Sequence, residues 1–411
     1  MNKRIISLLL SLTLLTGAAF AELAPAKVTD IEREAFYGDI SLTELTLPEG
    51  TLTIGELAFA YSGLKQMTLP GTITFIADNA FLGCAGLTAS APRGSYAYDY
   101  CVSHGYITEH QVSVTHADAV DGVLWLDPAS TKGSKVTLQV SADAAWIAEL
   151  QNLPGTEDWL GLEEVSGSGS GTLQLTVTAV PGTSWTTRDN FATRIILDCG
   201  GATASLIVAI CKEGPFVNRH LNTGDYARDL IAVAQSQVGY RGGKNQKDLD
   251  GTNTDAVHKD WTKYGVFLGI NGNPWGAAFI SWCAWQAGIP ESVLRRTTYA
   301  RPHEFTPSVK KGRPPVFYFD ALTDDQLANY RYLRDYGVKL DRASDWSPQP
   351  GDLIFFGWNA SNHTRNDGIV VGCQDGVISF IDGNGADDTD TVKLRTIDTT
   401  DPYITAFYTP W

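Results

Sequence analysis

The chain has 411 residues, with 46 acidic and 31 basic side chains and a formal net charge of −15. A chain of this length holds two to four domains, each large enough to bury its own core. Nucleic acid and anionic membrane surfaces repel an acidic protein, so the charge argues against both as partners.

The first 21 residues have the pattern of a secretory signal peptide. Lys3 and Arg4 precede an apolar run over residues 5–15, and small residues stand at 19 and 21. The run is too short to span a bilayer, and no later stretch is long and apolar enough to do so. We predict cleavage after Ala21 and a secreted, cell-surface associated protein without membrane insertion.

An internal repeat with a period of 22 to 23 residues follows. An Ile with Ala-Phe four and five positions later recurs at 31–36, 54–59 and 76–81, and leucine-rich segments ending in proline separate the copies. This period lies in the leucine-rich range, where each unit stacks its apolar side chains on the next. The pattern resembles BspA-like leucine-rich repeats of bacterial surface proteins, with a helical end cap near 94–104. We assign residues 22–110 to a short solenoid, which either displays an adhesive face or acts as a spacer.

Residues 111–214 carry several short strand patterns between turn signals. Four of them lie at 136–140, 173–177, 193–197 and 204–208. Such a series predicts an antiparallel β-sandwich. Trp159, the Gly/Ser loop after it and the final hairpin resemble BACON-type immunoglobulin-like modules, which implies carbohydrate or mucin binding, or a spacer. The tryptophans of this segment either stack on sugar or fill the core; they are Trp146, Trp159 and Trp185.

Six cysteines occur, at positions 84, 101, 199, 211, 283 and 373. An oxidising compartment permits disulfides, and Cys84 with Cys101 is the pair that we expect to bridge. Cys199 and Cys211 lie on neighbouring predicted strands, but the turn between them does not place them opposite each other. No paired-cysteine motif or histidine cluster indicates zinc.

Residues 215–411 combine helices with a small sheet. Asp225 can cap a first helix, and an apolar, Trp-rich helix begins after Pro274 and ends before Gly288. We predict a further helical stretch over Asp324–Tyr336. Strand patterns follow at 350–356, 367–371, 377–381 and 404–408. Helices packed on an antiparallel sheet make an α+β domain.

The Trp-rich helix resembles the signature of CHAP amidase/peptidase domains, a branch of the NlpC/P60-like, papain-like superfamily. That signature reads Pro-Trp-Cys-Ala-x-Phe-(Val/Ile)-x-Trp-Cys, and residues 274–283 match it with one exception. The resemblance implies a papain-like fold and cleavage of peptidoglycan peptides. Further landmarks of the family are Gly239–Tyr240, Tyr264–Gly265, Pro350–Asp352, Gly368–Val370 and Gly383–Asn384.

The family's catalytic positions hold different residues here. Its nucleophilic Cys falls on Gly276, its His base falls on Asn366, and its orienting residue falls on Asp382. A thiol at a helix N-terminus is ionised by unpaired N–H groups and the helix dipole, and glycine has no group to ionise. An asparagine cannot accept a proton at neutral pH. We therefore expect no conventional thiol catalysis.

Two other residues are candidates for a relocated dyad. Cys283 lies two helical turns after Gly276, about 10 Å along the axis. His363 lies in the loop before Asn366. The competing interpretations are a core thiol and a solvated histidine.

An acidic loop offers oxygen ligands at Asp248, Asp250 and Asp255. It lacks the glycine placement and terminal glutamate of an EF-hand. A Ca²⁺ site and a solvated acidic loop are the two interpretations, and we predict no other cofactor.

We therefore expect an exported surface protein whose CHAP-like domain binds peptidoglycan, or a surface glycan or protein, without cleaving it. Its cleft would use Trp275, Trp358, Asp382 and Asn384. The alternatives are an active peptidoglycan hydrolase with an unconventional dyad, and a structural spacer or adhesin.

Overall fold

The computed structural model describes residues 29–254, 259–300, 304–305, 330–333, 348–357, 364–384, 390–401 and 403–411. The predicted signal peptide lies outside these residues, as do Asp255, Trp358 and His363. The chain forms two compact units, Met1–His110 and Gln111–Trp411. In the described ranges, no helix is both long and apolar enough to cross a membrane.

The first unit is built from two parallel three-stranded sheets. One contains β1 (Asp30–Ile31), β3 (Thr53–Ile54) and β5 (Phe75–Ile76); the other contains β2 (Glu44–Thr46), β4 (Gln66–Thr68) and β6 (Thr88–Ser90). Asp30 pairs with Thr53 and Thr53 with Phe75, so the register advances by 23 and then 22 residues. The sequence period is thus the spacing of paired strands.

Stacked phenylalanines form the centre of this unit. The ring centroids of Phe36 and Phe59 lie 5.1 Å apart, and those of Phe59 and Phe81 lie 5.4 Å apart, with nearly parallel planes. Helix α1 (Tyr96–Ser103) follows, and the Tyr100 ring lies 6.4 Å from Phe81, tilted by 56°. The phenylalanine of each repeat is therefore buried in part by the aromatic ring that follows it.

The expected Cys84–Cys101 disulfide is not formed, because all six cysteines are free thiols. Cys84 Sγ lies 3.2 Å from the Phe59 carbonyl and 3.4 Å from the Ser62 hydroxyl. Burial raises the pKa of Cys101 to about 12. The sequence spacing suggested a pair, but each thiol instead fills the core as a small apolar group.

We expect Phe59→Ala to destabilise the repeats by about 3–5 kcal/mol, because it removes the middle ring of the stack. Hydrogen exchange of the repeat amides in the full chain reports this opening separately from the second unit. Phe75→Ala is the matched control, since the Phe75 side chain is 52% exposed. Equal losses of protection in the two variants would contradict the stacked core.

The second unit begins with two sheets that enclose one core. The strands are β7 (Val112–Thr115), β8 (Val123–Trp125), β9 (Lys135–Ala142), β10 (Ala145–Asn152), β11 (Leu160–Leu162), β12 (Ser166–Ser168), β13 (Gly171–Val177), β14 (Asn190–Cys199) and β15 (Ala202–Cys211). The larger sheet has the order β12-β10-β14-β15-β8 and the smaller has the order β11-β13-β9-β7. Among the pairings of these two sheets, only β15 with β8 is parallel.

Two tryptophans of this segment belong to its core. Trp159 is fully buried and its Nε1 donates to Thr193 Oγ1 at 2.7 Å. Trp146 is 4% exposed and its Nε1 donates to the Gly169 carbonyl at 3.0 Å. Neither ring lies at the surface where it would stack on sugar, whereas Trp185 is partly buried.

In the described residues, the rest of the second unit contains three helices and six strands. The elements are α2 (Tyr226–Gln235), α3 (Lys263–Leu268), α4 (Gly276–Gln286), β16 (Tyr330–Leu333), β17 (Leu353–Gly357), β18 (Thr364–Gln374), β19 (Val377–Asp382), β20 (Lys393–Asp398) and β21 (Ile404–Tyr408). The strands form one antiparallel sheet of order β16-β21-β17-β18-β19-β20; α2 and α4 lie against β18, and α3 lies against α4. The predicted cap at Asp225 forms, since its side chain accepts the Arg228 N–H at 3.1 Å.

One described part of the predicted helix Asp324–Tyr336 is a strand. Tyr330–Leu333 forms β16 and pairs antiparallel with β21. Aromatic residues favour strands, and pairing with β21 gives these backbone groups their hydrogen bonds. The flanking residues of the predicted helix lie outside the described residues.

The C-terminal end of α4 is held by the two-sheet segment. Asn222 Nδ2 donates to the carbonyls of Pro154 at 2.7 Å and Gln286 at 2.8 Å. Arg188 donates to the Trp285 carbonyl, and its guanidinium lies 4.5 Å from the Trp285 ring centroid. The two-sheet segment therefore fixes the end of the helix.

We expect Asn222→Ala to lower the free energy of unfolding of the second unit by about 1–3 kcal/mol, because two carbonyls lose their donor. Urea denaturation followed by tryptophan fluorescence measures this. Asn245→Ala removes an exposed amide and serves as the control. A loss no larger than the control's would show that the contact does not join the two parts.

Candidate functional site

The site is built on the N-terminus of α4. Trp275 is the N-cap residue, and its carbonyl accepts the Phe279 N–H at 2.8 Å. Gly276 is the first residue of the helix and is buried, whereas Asn273 and Pro274 just before it are exposed. The first-turn N–H groups give this end of the helix a partial positive charge.

The three positions singled out by the sequence come together from three elements. A Cβ atom on Gly276 of α4 would lie 3.2 Å from Oδ1 of Asn366 on β18. Asn366 Nδ2 in turn donates to Oδ2 of Asp382 on β19 at 3.1 Å. Gly276 thus meets residues 90 and 106 positions later in the chain, and the three form a continuous row.

The row lacks the groups needed for nucleophilic catalysis. Gly276 supplies no nucleophile, and the Asn366 amide donates a hydrogen bond but accepts no proton at neutral pH. Asp382 is 2% exposed, and its Oδ1 accepts the Arg395 Nε–H at 2.8 Å. Both carboxylate oxygens are therefore engaged by neighbouring side chains.

Asp367, which the sequence reasoning missed, is the unexpected member of the site. Its side chain is fully buried, and no other described residue donates a hydrogen bond to either of its oxygens. Burial, with a further contribution from the charge on Asp382, raises the pKa of Asp367 to about 8. A signal was present in the sequence: in CHAP domains, which this stretch resembles, the pattern around the base reads His-Val-Gly-Ile-Val, with an apolar valine after the histidine, whereas here Asp367 follows Asn366.

Trp275 does not form the wall of a groove, in contrast to the sequence-based expectation. It is fully buried, and its Nε1 donates to the Asp390 carboxylate. Its ring stacks on Tyr264 at 5.2 Å between centroids and lies against Gly383, where a Cβ would come within 2.3 Å of the ring. A tryptophan in this pattern suits a core and a cleft equally, and only the packing separates them.

The other predicted ligand-binding residues differ in accessibility. Asn384 is partly exposed, and its Nδ2 donates to Asp260 Oδ1 at 3.0 Å. Asp382 is almost completely buried. Trp358 lies outside the described residues.

Of the two candidates for a relocated dyad, only Cys283 lies within the described residues. Cys283 is fully buried, and burial raises its pKa well above the ordinary thiol range. A buried neutral thiol is a poor nucleophile. His363 lies outside the described residues.

In the acidic loop, some carboxylate oxygens accept hydrogen bonds from the loop's own backbone. Asp248 Oδ2 accepts the Lys244 N–H at 3.2 Å, and Asp250 Oδ1 accepts the Thr252 N–H at 3.0 Å. Within the described ranges, neither aspartate belongs to a group of three or more acidic, histidine or cysteine side chains close enough to share an ion. Asp255 lies outside those ranges, so the Ca²⁺ site stays a prediction.

A comparison with protein families bears on the first unit. Residues 22–108 match the family described as "BspA type Leucine rich repeat region", in six copies. These residues are BspA-type leucine-rich repeats. The repeat interpretation of the sequence is thereby confirmed.

Two solved structures show slight likenesses. A Bacteroides ovatus GH5 xyloglucanase in complex with a XXXG heptasaccharide is 17% identical, with a TM-score of 0.20, over 33% of this chain and 27% of the xyloglucanase. WR4, a C. elegans MSP family member, is 12% identical, with a TM-score of 0.16, over 23% of this chain and 94% of WR4. Likenesses this slight support no argument about fold or function. No curated protein matches the chain.

The buried carboxyl of Asp367 should make the free energy of unfolding depend on pH. The folded chain keeps the Asp367 proton up to about pH 8, whereas an unfolded chain loses it near pH 4, so this group lowers stability as pH rises between those values. We expect Asp367→Asn, which carries no charge, to be more stable than the parent at pH 7 by about 1–3 kcal/mol. The difference should shrink toward pH 4.

Urea denaturation at several pH values between 4 and 8 checks this. Asp375→Asn is the control, because it makes the same change of side chain at an exposed position in the turn after β18. A profile for Asp367→Asn that parallels the parent throughout would contradict the buried acid.

Proposed function

We propose that the chain is an exported bacterial surface protein whose residues 215–411 form a non-catalytic CHAP-like domain that binds peptidoglycan or a surface glycan. BspA-type repeats suggest a surface or adhesion-type bacterial protein. The observation that carries the proposal is the row of Gly276, Asn366 and Asp382.

The row supports a papain-like relationship for a geometric reason. The resemblance names one residue on a helix and two on neighbouring strands, and these three lie next to each other in the order nucleophile, base and orienting group. Chance would rarely bring together three positions chosen from sequence alone. The same row supports the loss of catalysis, since neither a thiol nor an imidazole is present at its first two positions.

A ligand would reach this domain through its exposed polar groups. Asn384 is the one predicted contact residue that the structure describes as partly exposed. Asn273 and Pro274, which come just before the N-terminus of α4, are exposed. An amide next to a helix N-terminus can donate hydrogen bonds to peptide carbonyls or sugar hydroxyls, which suits a peptidoglycan fragment.

An active hydrolase is the first alternative. It requires Cys283 to ionise, and the full burial of that thiol counts against it. A structural spacer is the second alternative, and it differs from our proposal in predicting no ligand for residues 215–411.

We expect the secreted chain, residues 22–411, to sediment with purified cell walls without releasing new amine termini. Residues 111–411 form a compact unit and should bind walls without the repeats. Asn384→Ala should weaken that binding by about 3- to 10-fold, as for loss of one hydrogen bond, whereas Asn245→Ala, which removes an exposed amide elsewhere, should not.

Other outcomes decide between the alternatives. Amine release that disappears in Cys283→Ala would establish the hydrolase. Binding by residues 22–110 alone, with none by residues 111–411, would show that the repeats are the adhesive part and that residues 215–411 act as a spacer.

A further inference from the structure

Gly276 and Asp367 compete for the same space. A Cβ atom on Gly276 would lie 2.6 Å from Asp367 Oδ1, closer than Cβ atoms are found to other atoms in proteins. The next neighbours, Asn366 Oδ1 and the Gly383 carbonyl, are 3.2 Å away and leave more room. A side chain at position 276 and the Asp367 carboxyl in its present place therefore exclude each other.

Asp367 has little freedom to move aside. Its side chain has only two torsions and is fully buried. The adjacent Gly368 already lies close to β19, where a Cβ would come within 2.8 Å of the Phe380 ring and 3.1 Å of the Ile381 carbonyl. The backbone next to Asp367 is therefore packed closely against β19, which leaves little room for it to shift in that direction.

We propose that Asp367 occludes the position from which a nucleophile would act, so that the site is closed by a coupled pair of residues rather than by the loss of a thiol alone. The carboxyl occupies the volume that a side chain on the first residue of α4 would need. Restoring a cysteine at Gly276 is then insufficient, and the acid has to be removed as well. This deepens the proposed function, on which it rests for the role of the position.

The test places a thiol at the position with and without the acid. Gly276→Cys is made in the parent chain and together with Asp367→Val, using residues 22–411. Alkylation by iodoacetamide is followed from pH 6 to 10 by peptide mapping, which separates the new thiol from the six native ones. Gly372→Cys is the control. Gly372 lies on β18, the same strand as Asp367, and a Cβ atom there would have no neighbouring atom within 4 Å.

We expect the introduced thiol to react at least about 10-fold faster at pH 7 in the double variant, with a titration midpoint below the ordinary value of about 8.5. With the acid gone, the sulfur can lie at the helix N-terminus, where the N–H groups stabilise a thiolate. Gly276→Cys should lower Tm by about 2–8 °C in the parent and by less than half as much in the Asp367→Val background. Gly372→Cys should show no dependence on Asp367.

Equal alkylation rates in the two backgrounds, or an equal fall in Tm, would overturn the proposal. The experiment uses no wall ligand. Failure to bind cell walls would therefore count against the proposed function but not against occlusion by Asp367. Equal alkylation rates would count against occlusion by Asp367 but not against wall binding.

Discussion

The burial of α4 on all sides sets the arrangement of the second unit. Its side packs on α2 and on one face of the six-stranded sheet in a single core, its C-terminal end meets the two-sheet segment, and its N-terminus faces β18 and β19. A helix that is apolar all round has to be enclosed in this way. The position of Gly276 relative to Asn366 and Asp382 therefore follows from packing.

The chemistry at that helix end depends on one buried acid. A helix N-terminus favours a negative charge. In the part of the chain that the structure describes, however, no other residue donates a hydrogen bond to Asp367, and burial keeps its carboxyl neutral at pH 7. Asp382 nearby keeps its place through Arg395 and Asn366. Under the function proposed above, the site keeps the arrangement of a reactive centre while Asp367 fills the space beside Gly276.

Features that repeat or follow a local rule could be predicted from the sequence. The repeat period became the strand register, and the Asp225 cap formed. Features that depend on distance between remote residues could not be predicted. The spacing of Cys84 and Cys101 does not reveal that both fill a core, the tryptophan pattern does not separate core from cleft at Trp275, and the importance of Asp367 appears only when β18 is placed against α4.

The hold of the two-sheet segment on α4 has a consequence for how such a protein can be recombined. Asn222 bridges Pro154 and Gln286, so an exchange of modules at the boundary near residue 214 would pair the helix end with a foreign surface. The Trp285 carbonyl would then lose its donor Arg188, and the Asn222 amide would lose the Pro154 carbonyl to which it donates. We therefore expect residues 111–214 and 215–411 to tolerate recombination only when they are transferred together, whereas the repeats form a compact unit of their own.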